Sequence, residues 1–77
     1  MELKQILTDI ARAIVDTPDA VNVVENFDGD NVELILTVAD DDTGMVIGRH
    51  GKIAKAIRQV MKAAANNCGK HVTVEIK

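Results

Sequence analysis

A chain of 77 residues with a formal net charge of −3 has room for one compact domain, and a domain this short buries only about 60% of its unfolded surface. No stretch approaches the roughly 20 apolar residues of a membrane span, the start Met1–Gln5 mixes charged and apolar positions unlike a signal peptide, and the one cysteine, Cys68, has no second thiol for a disulfide or a zinc site. The expectation is a cytoplasmic protein without metal or cofactor, and its charge is polarised: residues 1–42 carry net −9 and residues 43–77 net +6, so one folded unit can offer a basic face to phosphates while the rest stays acidic.

Leu3, Ile6, Leu7, Ile10 and Ile14 recur at helical spacing with Lys4, Gln5, Asp9, Arg12 and Asp16 opposite them, which predicts an amphipathic first helix ended by Thr17 and Pro18. Val21–Phe27 is rich in β-branched residues. Asp28, Gly29 and Asp30 then suit a tight turn, and Val32, Leu34, Leu36 and Val38 alternate with Glu33, Ile35 and Thr37; together they predict a β-hairpin. Asp40, Asp41, Asp42 and Thr43 precede a short apolar run, Met45, Val46 and Ile47, read as a helix of one or two turns capped by the acids and stopped by Gly48.

A long helix is predicted after Gly51, with Ile53, Ile57, Val60, Met61 and Ala64 as its buried stripe, Lys52, Lys55, Arg58, Gln59 and Lys62 on the other face, and Asn66, Asn67 and Gly69 at its end. Ala63, Ala64 and Ala65 give its last turns a smooth surface that a second chain can approach. Val72, Val74 and Ile76 alternate with Thr73, Glu75 and Lys77 as a third strand. The order is α-β-β-α-α-β, an α+β fold with a three-stranded sheet covered on one face by three helices.

Two glycines three apart between a short helix and a long one allow a sharp turn and leave two points without side chains, where a ligand can come close. The turn also presents the unpaired amides at the start of the long helix, which favours phosphate. Arg49 and Lys52 supply cations at the same spot, and Lys55 and Arg58 continue them along the helix. Phe27 is the only aromatic residue, which excludes the RNA-binding folds that stack several bases on aromatic platforms.

The run Val46-Ile47-Gly48-Arg49-His50-Gly51-Lys52-Ile53-Ala54-Lys55-Ala56-Ile57-Arg58 resembles the GXXG signature of KH domains, which clamp the backbone of about four nucleotides. The whole chain resembles the type II, bacterial, KH topology and the family of free-standing bacterial KH proteins, the KhpA family. That resemblance implies binding of single-stranded RNA by Gly48, Arg49, His50 and Gly51, with Ile47, Ile53 and Ile57 as groove or core positions and Lys52, Lys55 and Arg58 in support. It also implies a homodimer, pairing with a larger KH-domain protein of the KhpB family, and post-transcriptional control linked to cell elongation and division. Met45 stands where such proteins often carry a base, and the loop holds one permanent cation beside His50.

Other readings of these residues are blander. The loop can be a plain steric connection, the basic helix face an ordinary solvated one, and His50 a loop hydrogen-bond donor with no ligand partner at metal spacing. The three aspartates lack the oxygen pattern of a calcium loop, and they can also border the RNA groove and repel misplaced phosphates. Without serine or tyrosine, a metal cluster or volume for a cleft, the chain does not read as an enzyme. The rival to RNA binding is a protein-interaction module that keeps the fold as a dimerisation platform while a partner KH protein contacts the RNA.

Overall fold

A computed structural model describes residues 2–77. Helix α1 (Leu3–Ile14) is followed by strands β1 (Asn22–Asp28) and β2 (Asn31–Thr37), the short helix α2 (Thr43–Ile47), the long helix α3 (Lys52–Asn67) and strand β3 (His71–Ile76). Single 3₁₀ turns at Pro18–Ala20, Asp40–Asp42 and Arg49–Gly51 join them. The order is the expected α-β-β-α-α-β. α1 ends at Ile14 with extended backbone at Val15, a few residues ahead of Pro18, which opens a 3₁₀ turn instead.

β2 is the central strand, antiparallel to β1 and parallel to β3. Gly29 has φ +61 while Asp30 does not share the positive φ, the signature of a two-residue type II′ turn with glycine first. That turn fixes the register Asp28 with Asn31, Phe27 with Val32 and Val23 with Leu36. Because side chains alternate along a strand, Val32, Leu34 and Leu36 of β2 all face the helices and are buried, together with Val23 of β1 and Val74 of β3. The opposite face carries exposed Asn26, Glu33, Thr73 and Glu75 and is open to solvent.

The core joins this sheet face to Leu3, Leu7 and Ala11 of α1, Val46 of α2, and Ile57, Met61 and Ala65 of α3. Each fully buried leucine contributes about 1.5–3 kcal/mol relative to its exposed state, so Leu7, Leu34 and Leu36, none measurably exposed, anchor the arrangement. α3 closes with Gly69 at φ +71. The Lys70 amide donates to the Ala65 carbonyl at 2.9 Å and the Gly69 amide to the Asn66 carbonyl at 3.2 Å, a Schellman cap that drops the chain directly into β3.

Three expectations are corrected here. The stripe of α3 that enters the core is Ala54, Ile57, Met61 and Ala65, while Ile53 is 37% and Val60 51% exposed. The large aliphatic residues drew the predicted stripe about 60° off, sharing only Ile57 and Met61 with the core, because alanines at two of the four core positions carry little hydropathic weight. Ala65 is buried and Ala64 packs against the core, so Ala63–Ala65 is not a smooth free surface. The aspartates, finally, make no side-chain cap on α2. Asp42 is instead buried, 2% exposed, and its Oδ2 accepts the Thr17 amide at 2.9 Å, tying the α1–β1 connection to the start of α2. A buried carboxylate requires such a partner.

Candidate nucleic-acid interface

The connection from α2 to α3 is built from backbone conformations that few residues adopt. α2 stops because Gly48 takes φ 76, ψ 173, a region open essentially to glycine alone, and its amide donates to the Gly44 carbonyl at 2.8 Å. His50 has φ 58, ψ 24 and Gly51 φ 73, ψ 15, both left-handed. His50 is the one non-glycine residue with positive φ among the described residues, and histidine tolerates that region better than most. A Cβ on Gly48 would lie 2.6 Å from Ile53 Cγ1 and 2.9 Å from Ile53 Cβ, whereas at Gly51 it would meet nothing within 4 Å. Gly48 is thus required by both φ and packing, Gly51 by φ alone.

This turn leaves Arg49, His50 and Lys52 exposed side by side. Gly51 is the N-cap of α3, and no side chain caps that end. The Lys52 amide is taken by the Arg49 carbonyl and the Gly51 amide by the Gly48 carbonyl, so what the 16-residue helix offers at the loop is its next amides and the positive end of its dipole, in reach of two cationic side chains.

α3 has two flanks of opposite character. At about 100° per residue, Ile53, Ala56 and Val60 fall on one side of the core stripe, facing α1. With Ile10 and Ile14 of α1 they line an apolar groove of about 430 Å³. Lys55, Arg58 and Lys62 fall on the other side, toward β3, where the Arg58 Nε–H donates to the Val74 carbonyl at 3.2 Å. The sequence-derived site residues therefore divide. Gly48, Arg49, His50, Gly51 and Lys52 form the loop and its exit, and Lys55 and Arg58 continue along the β3 flank. Ile47, 38% exposed, ends α2 beside the loop, whereas Ile53 packs over Gly48 and, with Ile57, joins the α1 groove. Sequence reasoning missed three features: the role of Val60 in that groove, the Arg58–Val74 bond and the Asp42–Thr17 bond. Only the first left a sequence signal, the apolar i, i+4 pair Ile10 and Ile14 left over from the α1 core stripe. No group of His, Cys, Asp or Glu fit to hold a metal occurs among the described residues, and no helix is long and apolar enough to cross a membrane.

A mixed three-stranded sheet under helices, with a GXXG turn joining the last two, defines a KH domain. The family model of the KhpA/KhpB KH domain matches residues 4–76, and the chain belongs to that family. It is 51% identical to the RNA-binding protein KhpA of Clostridium acetobutylicum over 74 residues, covering 96% of this chain and 99% of the relative. Identity to the RNA-binding protein KhpA of Clostridium perfringens is 46% with the same coverage. To that of Bacillus subtilis it is 38%, over 96% of this chain and 91% of the relative. These relatives are named as RNA-binding proteins and not as enzymes.

Proposed function

We propose that this chain is a single KH domain that binds single-stranded RNA in the cytoplasm, with Gly48, Arg49, His50 and Gly51 gripping the phosphate backbone. The observation that carries the reading is the loop itself. Three of its four residues hold positive φ, a side-chain-free approach lies between two cations, and the uncapped start of α3 stands behind it. Lys52 adds a cation at the loop exit and Lys55 continues the charge along the β3 flank, where Arg58 is already held by a strand carbonyl and so is preorganised for a strand following that edge. Counterion release from about three phosphate contacts gives a slope of log affinity against log salt near −2 for single strands. The function this serves, on the family resemblance, is post-transcriptional control linked to cell elongation and division.

A second reading, that the fold serves mainly as a dimerisation platform whose RNA contacts come from a partner KH protein, is favoured by one observation. The α1–α3 groove is lined almost wholly by aliphatic side chains, with Val60 half exposed at its rim, and apolar surface of this kind marks association sites. A homodimer, or a heteromer with a larger KH-domain protein of the KhpB family, can use it without touching the loop. The two readings part on one experiment, titration of short single-stranded RNAs at two salt concentrations with the intact chain and with the Arg49→Asp, His50→Asp double variant. Binding that weakens with salt and disappears in the variant supports the loop as the reader. Equal binding by both proteins moves the contact elsewhere.

A further inference from the structure

The sheet has two edges, and they differ. Along β3 the amides of His71 and Lys77 donate to Asp30 and Leu36 carbonyls on the β2 side at 2.9 Å, so Val72, Val74 and Ile76 turn their main-chain groups outward. Arg58 occupies the middle one of those carbonyls. On the other side, the two-residue turn closes on Asp28 paired with Asn31. The closing pair of such a hairpin exchanges both ladder bonds, and so do the alternate pairs Asn26 with Glu33 and Val24 with Ile35. The main-chain groups of Val23, Glu25 and Phe27 then point to the free edge of β1. Val23 is buried, Glu25 is half-buried and Phe27 is 63% exposed, so the open stretch is Glu25–Asp28.

The chemistry of this stretch specifies what fits it. On the helix side, the apolar row Val72, Val32, Phe27 across the three strands ends in an uncovered aromatic ring. On the open side, Asn26, Asp28 and Glu33 border a hollow of about 240 Å³. Glu25, Asp28, Asp30 and Glu33 lie within one turn and two strand ends, and no lysine or arginine occurs between Arg12 and Arg49. Lys70 and His71, the nearest bases by register, belong to β3 and its approach, with β2 between them and β1. A second copy of β1 is a poor occupant, since antiparallel self-pairing through the outward groups of Glu25 and Phe27 sets the two Glu25 side chains opposite or diagonal to each other on one face, with no base beside them.

We propose that the open edge at Glu25–Asp28 takes an extended segment of a partner protein as a fourth strand, one in which apolar and basic residues alternate. Its main chain bonds Glu25 and Phe27, its apolar side chains extend the row ending at Phe27, and its bases face Asp28 and Glu33. The site lies at the hairpin end, by the C-terminus of α3. The loop is at the other end of that helix, about 24 Å away, so both are filled independently.

The test titrates the full chain with a capped pentapeptide alternating lysine and valine and follows backbone amide resonances. The expected result is shifts centred on residues 24–33, slowed hydrogen exchange at the Glu25 and Phe27 amides, and at least tenfold weaker binding by both Phe27→Ala and the Asp28→Lys, Glu33→Lys double variant. The Arg49→Asp, His50→Asp variant should bind the peptide as the intact chain does. The idea fails if shifts map elsewhere, if a glutamate-valine peptide binds equally, or if N-methylation of the peptide's edge-facing amides changes nothing. It fails also if the Glu25 and Phe27 amides become protected with rising protein concentration alone, which would make a second copy the occupant.

Discussion

Replacing Gly48 and Gly51 separately by alanine separates the two demands on the loop. Gly51→Ala puts a Cβ into open space at φ +73, so its cost is left-handed strain alone, roughly 1–2 kcal/mol. Gly48→Ala adds a side chain in a region where non-glycine backbone costs roughly 1–3 kcal/mol. It also drives a Cβ to 2.6 Å from Ile53 Cγ1 and 2.9 Å from Ile53 Cβ, an overpacking worth roughly 1–3 kcal/mol more. Against a total stability of roughly 4–12 kcal/mol for a chain of this length, Gly48→Ala approaches the limit of folding and Gly51→Ala does not. Urea denaturation followed by far-ultraviolet circular dichroism measures both. With a slope near 1 kcal/mol per molar, the midpoint should fall by about 1–2 M for Gly51→Ala and by about 2–6 M for Gly48→Ala. Adding Ile53→Ala removes the Cγ1 and Cδ1 contacts and leaves Cβ, so the double variant with Gly48→Ala should regain about 1 kcal/mol as a coupling energy. A Gly48→Ala cost no larger than that of Gly51→Ala, or strict additivity with Ile53→Ala, would refute the reasoning.

Asp42→Ala should destabilise the chain by about 2 kcal/mol, since it orphans the Thr17 amide that a buried carboxylate now accepts. Asp42→Asn, which keeps an acceptor oxygen, should cost about half as much; urea melts and exchange at the Thr17 amide read both, and an unchanged midpoint for the alanine variant would remove the assigned role. Val60→Asp should leave the fold intact, because that side chain is already half exposed, and should shift any dimer to monomer in sedimentation equilibrium. A dimer that survives it does not use the α1–α3 groove. His50→Val should lower stability by about 1 kcal/mol through its left-handed φ, whereas His50→Gly should not; equal melts for the two would show that the backbone there relaxes freely.

What was legible in the sequence was whatever local chemistry dictates. The alternation of Val32, Leu34 and Leu36, the Asp28-Gly29-Asp30 turn, and the two glycines around Arg49 and His50 each demand one backbone course whatever surrounds them. The errors arose where tertiary neighbours decide. Ala54 and Ala65 are buried in the core while Ile53 and Val60 stand beside α1, an outcome decided by what the helix packs against and not by its own hydropathy. Asp42 reads as a cap until Thr17, 25 residues earlier, claims its carboxylate. Arg58 reads as a free cation until β3, 16 residues later, supplies a carbonyl.

The phase of α3 also explains how so short a chain can keep two surfaces apart. A helix buried on one stripe has two flanks, and here one meets α1 and the other meets β3. Ile53, Ala56 and Val60 on the first flank meet only aliphatic side chains of α1, where a lysine would lose its hydration without a counter-charge. Lys55, Arg58 and Lys62 on the second lie beside a strand edge with outward carbonyls, where cations are stabilised and an aliphatic residue would gain nothing. Turning the helix by one residue, about 100°, would in one sense drive Lys55, Arg58 and Lys62 into the core and in the other lay Lys52 and Lys55 against α1. The helix phase that fills the core is therefore the same one that sets Lys55, Arg58 and Lys62 along the β3 flank and leaves Lys52, beside the GXXG loop, as the one cation bordering the apolar groove.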